Sequence, residues 1–249
     1  MYIKEFHIEG LWGSKSLSWQ NIREDVNIVV GINGSGKTTL LDAIYNHYSA
    51  KTKSKLYAKT FGNEIDIPIT QISSFDVPSD SKKKSNSPLL NRLLSVVLQN
   101  LDHMSFFNYR MIPLNYPSET RRVSQRIEMF FDVVNSFFAE TKKAIDIDKQ
   151  KNTLIFVEKD GNILQLNDLS AGEKQLLYLL LTVFLMDEKP AILLLDEPEL
   201  SLHITWQEKL IDALRHLNPV CQIITPTHSP SIFVNGWSEH LVFVDNLIK

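Results

Sequence analysis

Cysteine is nearly missing from this sequence: Cys221 stands alone among 249 residues. A single cysteine excludes an internal disulfide and a Cys-rich metal framework. Long apolar runs are lacking too. The longest, Leu176–Met186, spans 11 residues and is interrupted by Thr182, whereas a bilayer-spanning helix needs about 20. No secretory pattern opens the chain, because Glu5, His7 and Glu9 break any apolar stretch. Neither sign of charge dominates. With 26 Lys+Arg against 29 Asp+Glu the formal net charge is -3, which argues against a uniformly basic nucleic-acid binder and leaves room for a local patch. Repeats and sustained heptads are absent, so no long coiled-coil arm is expected. Together these absences lead to the expectation of a soluble, cytoplasmic protein without a membrane span.

What is present suits one sizeable core. Apolar residues make up 43% of the chain, and the length fits one large domain or a domain with an insertion. Tyr2–Ile8 and Ser16–Trp19 read as strands paired across Gly10–Gly13. Val26–Val30 is a compact apolar run of the kind buried in parallel sheets. Thr38–His47 follows as a helix, then a strand-like segment Ile65–Phe75 whose Pro68 suggests an edge. Pro78–Pro88 reads as a polar loop and Leu89–Leu101 as a helix. Ser124–Ile145 places Ile127, Phe130, Phe131, Val134, Phe137, Phe138 and Ile145 at helical spacing, an aromatic stripe expected to dock on the core. A hairpin is expected over Thr153–Leu166 with its turn at Asp160–Asn162. Helix 173–187, strand 191–195, helix 204–217 and strands 221–225 and 240–244 complete an α/β alternation.

Gly31-Ile32-Asn33-Gly34-Ser35-Gly36-Lys37-Thr38 matches G-x-x-x-x-G-K-[ST] in full, between an apolar strand and a helix. Glycines let the backbone turn its N–H groups onto phosphate oxygens, and the helix N-terminus adds free donors. The expected nucleotide contacts are therefore Asn33, Gly34, Ser35, Gly36, Lys37, Thr38 and Thr39, with Lys37 reaching the β- and γ-phosphates of ATP and Thr38 ligating Mg²⁺. Further on, the apolar strand Ala191–Leu195 ends in Asp196-Glu197. Carboxylates at such a tip suit a metal shell and a water: Asp196 is assigned to Mg²⁺ and Glu197 to the base that activates the attacking water.

Two further elements each carry two readings. Ser170, with Glu173 three residues on, makes a capping box, and its hydroxyl and the free helix N–H groups also form an anion site. His228, in Thr227-His228-Ser229 after the strand 221–225, is a structural histidine or a γ-phosphate contact, and its place after the other elements favours the contact.

Taken in order, the phosphate loop, LSAGEKQ (169–175), LLLDEPELSLH (193–203) and THS (227–229) resemble the ATP-binding-cassette ATPases, in particular their RecF-like, SMC-like and overcoming-lysogenization-defect branch. The resemblance covers nearly the whole chain. It implies a P-loop NTPase with cassette-like α/β architecture: a mixed sheet flanked by helices, one domain over 1–249, with residues 79–145 as a helical insertion. LSAGEKQ resembles the cassette signature, and Pro198–His203 resembles the D-loop of the DNA-associated branch. Transporter cassettes carry Asp where this chain has His203. Pro226 departs from the small residue usual before Thr-His-Ser. The family's Mg²⁺-sensing glutamine corresponds to Gln71, also readable as an ordinary polar strand position.

The resemblance further implies a head-to-tail dimer in which Ser170 and Gly172 of one chain close on the γ-phosphate held by Lys37 of the other. ATP would close the dimer and hydrolysis open it. Trp12 and Trp19 are open to stacking on adenine or to core packing. The chain ends 21 residues after His228, so an effector such as a nuclease is expected on a separate polypeptide. Anti-phage defence is the expected setting, with DNA repair and a transporter ATPase subunit as alternatives. Charge adds one feature. Residues 79–145 hold 10 Lys+Arg and 6 Asp+Glu, net +4, against 16 and 23, net -7, elsewhere. Lys82–Lys84, Arg121, Arg122, Arg126, Lys142 and Lys143 could face nucleic acid, face an acidic protein, or line a solvated surface.

Overall fold

A computed structural model describes residues 1–49, 57–74, 87–100 and 103–249. The expected loop Pro78–Pro88, except its last two residues, lies outside the described residues, as do Phe75 and Lys82–Lys84. In chain order the strands are β1 (Glu5–Leu11), β2 (Lys15–Gln20), β3 (Val26–Val30), β4 (Lys59–Gly62), β5 (Ile69–Ile72), β6 (Lys143–Asp148), β7 (Thr153–Glu158), β8 (Ile163–Gln165), β9 (Ala191–Leu195), β10 (Cys221–Pro226) and β11 (Leu241–Phe243). The helices are α1 (Lys37–Tyr48), α2 (Pro88–Val97), α3 (Phe106–Asn115), α4 (Thr120–Phe138), α5 (Ala171–Phe184) and α6 (Ile204–Leu217).

The centre is a five-stranded sheet in the order β11-β3-β10-β9-β5, parallel throughout. Its strands are buried on both faces, which is why β3 and β9 read as continuous apolar runs and not as alternating ones. Along β9 the side chains serve two cores in turn. Ala191, Leu193 and Leu195 join one cluster with α2 to α6, and Ile192 and Leu194 join a second with α1. The second cluster also holds Phe6, Ile8, Leu17 and Trp19 from the antiparallel sheet β2-β1-β4. A third sheet, β6-β7-β8, is antiparallel as well. The mixture expected of the sheet is thus divided: parallel in the centre, antiparallel on either side. Pro68 precedes β5, which lies at the sheet edge as its proline suggested.

The aromatic stripe docks inward. The Phe130 ring lies tilted against Phe184 at 4.7 Å, and Phe138 lies 4.5 Å from Phe156 and 5.7 Å from Trp206. Its last member needs correcting. The helix ends at Phe138, a 3-10 turn follows over Ala139–Thr141, Lys142 takes a left-handed φ of 57°, and Ile145 lies on β6. Ile145 still reaches the same core, so a strand residue falls by coincidence on the helical period. The expected hairpin gains β6 as a third strand. Two elements went unread. β4 is only four residues long, and α3 carries Pro113 inside it, which removes a helix hydrogen bond and hides the pattern. Ser105 caps α3 by accepting from Asn108 N.

The basic face also needs correcting. Arg122 pairs with Glu119 and Asp187, Arg126 with Glu188, and Lys143 with Glu173. Arg126 and Lys143 are buried or nearly so. Arg126 and Lys143 are therefore joints inside the fold, Arg122 is an exposed residue already paired, and Arg121 and Lys142 are exposed as well. No described helix is long and apolar enough to cross a membrane.

Candidate functional site

The loop between β3 and α1 is shaped by two glycines at positive φ, Gly34 (78°) and Gly36 (97°). Gly36 is also the N-cap of α1, and a Cβ there would lie 2.9 Å from the Trp12 ring. Handedness and space both require glycine at that position. With no side chain capping α1, its first N–H groups are left for a ligand. Lys37, 5% exposed, folds back and donates to the carbonyls of Gly31 (3.0 Å) and Ile32 (3.1 Å). Burial lowers its pKa, against the pull of Glu197, Asp196, Glu199 and Asp245.

A cavity of about 360 Å³ opens over this loop. Asn33, Gly34, Gly36, Lys37, Thr38 and Thr39 line it from the loop and α1, Trp12 from the β1–β2 turn, and Glu197 and His228 from the ends of β9 and β10. Ser35 does not line it; its hydroxyl is buried against Gly31 without a partner. Trp12 and Trp19, equivalent in the sequence, separate here: Trp19 is 3% exposed in the core and Trp12 stands at the cavity.

Asp196 follows β9, with its N–H donating to Ile72 O and its Oδ1 accepting from Thr38 Oγ1 at 3.3 Å. Burial, then Glu197, Asp42 and Glu199, push its carboxyl up to about 6, with the Thr38 hydroxyl opposing. Glu197 takes a left-handed φ of 47° and donates its N–H to Pro226 O at 3.2 Å. That conformation costs a non-glycine residue about 1 kcal/mol or more. Its Oε1 lies 3.4 Å from His228 Nε2. Pro226 is accommodated at the end of β10, in register with Val29, where its carbonyl serves Glu197. Gln71 sits on β5 and donates to Asp42 Oδ1 at 2.7 Å, one helical turn beyond Thr38.

The signature residues lie elsewhere in the chain. Ser170 Oγ accepts from Glu173 N (3.2 Å) while Glu173 Oε2 accepts from Ser170 N (2.8 Å). The capping box is therefore real, and it uses only a lone pair of the exposed Ser170 hydroxyl, whose hydrogen stays available for an anion. Lys143 Nζ holds the other oxygen of Glu173 at 2.8 Å. Burial raises the Glu173 pKa, but Lys143 and Ser170 outweigh it and hold the carboxyl below its usual range. A Cβ on Gly172 would meet Ser201 O at 2.3 Å, so the signature packs directly on the 198–202 turn of its own chain. Neither Ser170 nor Gly172 lines the cavity.

Sequence reasoning passed over Glu199, which is 7% exposed and bonded to the 227–229 loop. Its signal was a third carboxylate three residues after Asp196. Lys143 was read as surface, although its nearness to the signature is a matter of tertiary contact and leaves no mark in local sequence.

Comparison with known proteins follows the same lines. The family profile described as "AAA domain, putative AbiEii toxin, Type IV TA system" matches residues 49–235, which takes in the signature, the Asp196-Glu197 tip and His228. The chain is 23% identical to the "Septu protein PtuA" of Bacillus thuringiensis over 92% of its own length and 72% of that protein. It is 31% identical to the "Retron Vc95 probable ATPase" of Vibrio cholerae over 36% of its length and 20% of that protein. Among solved structures, an SMC head bound to the C-terminal winged-helix domain of ScpA superposes with a TM-score of 0.56 at 15% identity, covering 94% of this chain and 92% of that one.

Proposed function

The chain belongs to this AAA-domain family, as an ATPase of the ABC and SMC-head type, and from that premise we propose that it hydrolyses ATP as the switch of a multi-protein system in anti-phage defence. The observation that carries the hydrolytic reading is the cavity itself, where one wall offers Lys37 and Thr38 and the ends of β9 and β10 offer Glu197 and His228. Phosphates fit the loop N–H groups, with Lys37 leaving the loop carbonyls for phosphate oxygens. Trp12 offers its ring to the base.

Magnesium fits the residues present. Thr38 and Asp196 are hard oxygen donors already within 3.3 Å of each other, and Glu197 adds a second carboxylate beside them. When bound, the ion would neutralise charge developing on the β- and γ-phosphates. Gln71 would join it through its amide oxygen, its amide nitrogen still donating to Asp42. Glu197 takes the proton of the attacking water as its oxygen bonds to the γ-phosphorus and the bond to the β-bridging oxygen breaks, releasing ADP. His228, its Nε2 3.4 Å from Glu197 Oε1, would contact the γ-phosphate.

The remaining donors come from a second copy. Ser170 and Gly172 stand away from their own cavity, and the free hydroxyl hydrogen of Ser170 suits a neighbour's γ-phosphate. A head-to-tail dimer would close on ATP and open after hydrolysis, and the difference in affinity between those states would drive an effector protein. Similarity to Septu and retron proteins supports the defence setting. The pairing of Arg122, Arg126 and Lys143 within the fold weakens the case for nucleic acid at this face.

Glu197→Gln tests the reading. The carboxamide keeps the shape and cannot accept the proton, so phosphate release should fall by about 10²-fold or more, and the protein should run as a dimer with ATP on size exclusion. Unchanged turnover would remove Glu197 from the role of base and the reading with it.

A further inference from the structure

The two loops that bring Glu197 and His228 together are tied by a buried carboxylate to which the proposed chemistry gives no part. Glu199 Oε1 accepts from three donors of the 227–229 loop: Thr227 Oγ1 at 2.6 Å, His228 N at 2.8 Å and Ser229 N at 3.3 Å. Gln207 of α6 completes the knot. Its amide nitrogen donates to Leu202 O (2.9 Å) and Glu199 O (3.4 Å), and its Oε1 accepts from Ser229 Oγ. Glu199 Oε2 is buried and has no partner among the described residues. Burying a carboxylate is costly, and here its hydrogen bonds all come from one three-residue loop, two from backbone N–H groups and one from the Thr227 hydroxyl.

That stretch carries His228. The ring is 37% exposed, and its polar contact is the 3.4 Å approach to Glu197 Oε1. A ring held so lightly by its own side chain is aimed through its backbone, and Glu199 holds that backbone at the His228 N–H and on both sides of it. We propose that Glu199 is a positioning residue for the ATPase reaction: it clamps the 227–229 loop to the turn after Glu197 and so sets where His228 meets Glu197 and the γ-phosphate. The inference rests on the ATPase reading above. It adds a residue that touches neither nucleotide nor water and acts through His228.

The experiment uses Glu199→Ala and Glu199→Gln, each alone and combined with His228→Ala, with steady-state phosphate release and ATP binding by calorimetry. Loss of positioning by about 1 Å costs on the order of 10²-fold in kcat, and that is the fall expected for Glu199→Ala, with ATP affinity unchanged because the phosphate loop is untouched. Glu199→Gln keeps an acceptor oxygen for the three donors and puts its NH₂ on the side where Oε2 has no donor, so it should retain most of kcat. On His228→Ala, Glu199→Ala should cost nothing further. Wild-type kcat in Glu199→Ala, or a loss that multiplies with that of His228→Ala, overturns the inference. If Glu199→Ala fails to fold, Glu199→Asp withdraws the oxygen while keeping the charge, and the same two backgrounds decide in the same way. The ATPase reading fails separately, if Glu197→Gln turns over like wild type.

Discussion

Two pairs of adjacent acidic residues flank strand β9, Asp187-Glu188 before it and Asp196-Glu197 after it. Both pairs sit in turns with left-handed backbone at non-glycine residues: φ is 57° at Asp187, 56° at Glu188 and 47° at Glu197. Their surroundings are opposite. Asp187 accepts from Arg122 at 2.6 Å and Tyr109 at 2.7 Å, and Glu188 accepts from Arg126 at 2.9 Å. Burial raises Asp187, but Arg122 and Tyr109 outweigh it and hold the carboxyl below its usual range. At the other end Asp196 has the Thr38 hydroxyl alone, and burial with Glu197, Asp42 and Glu199 pushes it up to about 6. Lys37 spends its hydrogen bonds on carbonyls. One residue type thus makes a joint where its charge is matched and a poised site where it is not. Strain is common to both ends; unmatched charge is what distinguishes the end that faces the cavity.

The strongest way to break this comparison is Asp196→Asn. A carboxyl whose folded pKa is raised makes the folded state hold its proton more tightly than the unfolded chain. Stability is therefore lost as pH rises from about 4 to about 6, and stays lost at pH 7. Removing the ionisable group should stabilise the metal-free protein at pH 7 by about 1–3 kcal/mol, with the gain gone by about pH 4. Phosphate release should meanwhile fall by about 10²–10³-fold. Thermal melts at the two pH values, beside turnover, read both effects. A protein destabilised at pH 7 would mean that Asp196 is already matched, and the contrast would collapse.

Arg126→Met tests the matched end. Arg126 donates to Glu188, to Leu217 O at the end of α6 and to Phe184 O at the end of α5, with its guanidinium 5.2 Å from the Phe184 ring. Methionine fills much of the space but takes a donor from Leu217 O and leaves Phe184 O with the Asp187 N–H. The expected loss is about 2–4 kcal/mol by chemical denaturation, with turnover per folded molecule kept. A fall in kcat with stability intact would give this joint a role in the chemistry.

The contrast also explains what could be read from the sequence. The phosphate loop, the Asp196-Glu197 tip and the capping box at Ser170 are local: the residues that act are neighbours in the chain, and the backbone they need is written in their glycines and caps. β3 and β9 declared themselves by compact apolar runs, as burial on both faces favours, while β10 carries the buried polar residues Gln222 and Thr225 among its apolar ones. What escaped depends on partners far away. Arg122, Arg126 and Lys143 look like surface cations until Asp187, Glu188 and Glu173 arrive from α5 and its flanks. Gln71 takes Asp42 as its partner only through the packing of α1 on β5. Ile145 kept the helical period after the helix had stopped, and Pro113 hid α3. Glu199 was visible as a carboxylate and invisible as a clamp, since its donors lie 28 to 30 residues on.

The smallest effect sharpens the comparison most finely. Arg122 is 43% exposed and divides itself between Glu119 and Asp187. Its loss in Arg122→Gln leaves Asp187 the Tyr109 hydroxyl and the exposed Lys189, so the cost at pH 7 should be about 0.5–1 kcal/mol. Its pH dependence has the sign opposite to that of Asp196. A carboxyl held below its usual range stabilises the fold above its unfolded pKa, and that contribution is lost as pH falls through the lower, folded value. The gap between wild type and Arg122→Gln should therefore be constant from neutral pH down to about 4 and close below it. Denaturation midpoints over that range test this directly. A gap that persists in full acid would show that Arg122 stabilises through packing of its stem and not through Asp187, and the charge-matched end of β9 would then rest on Arg126 and the exposed Lys189.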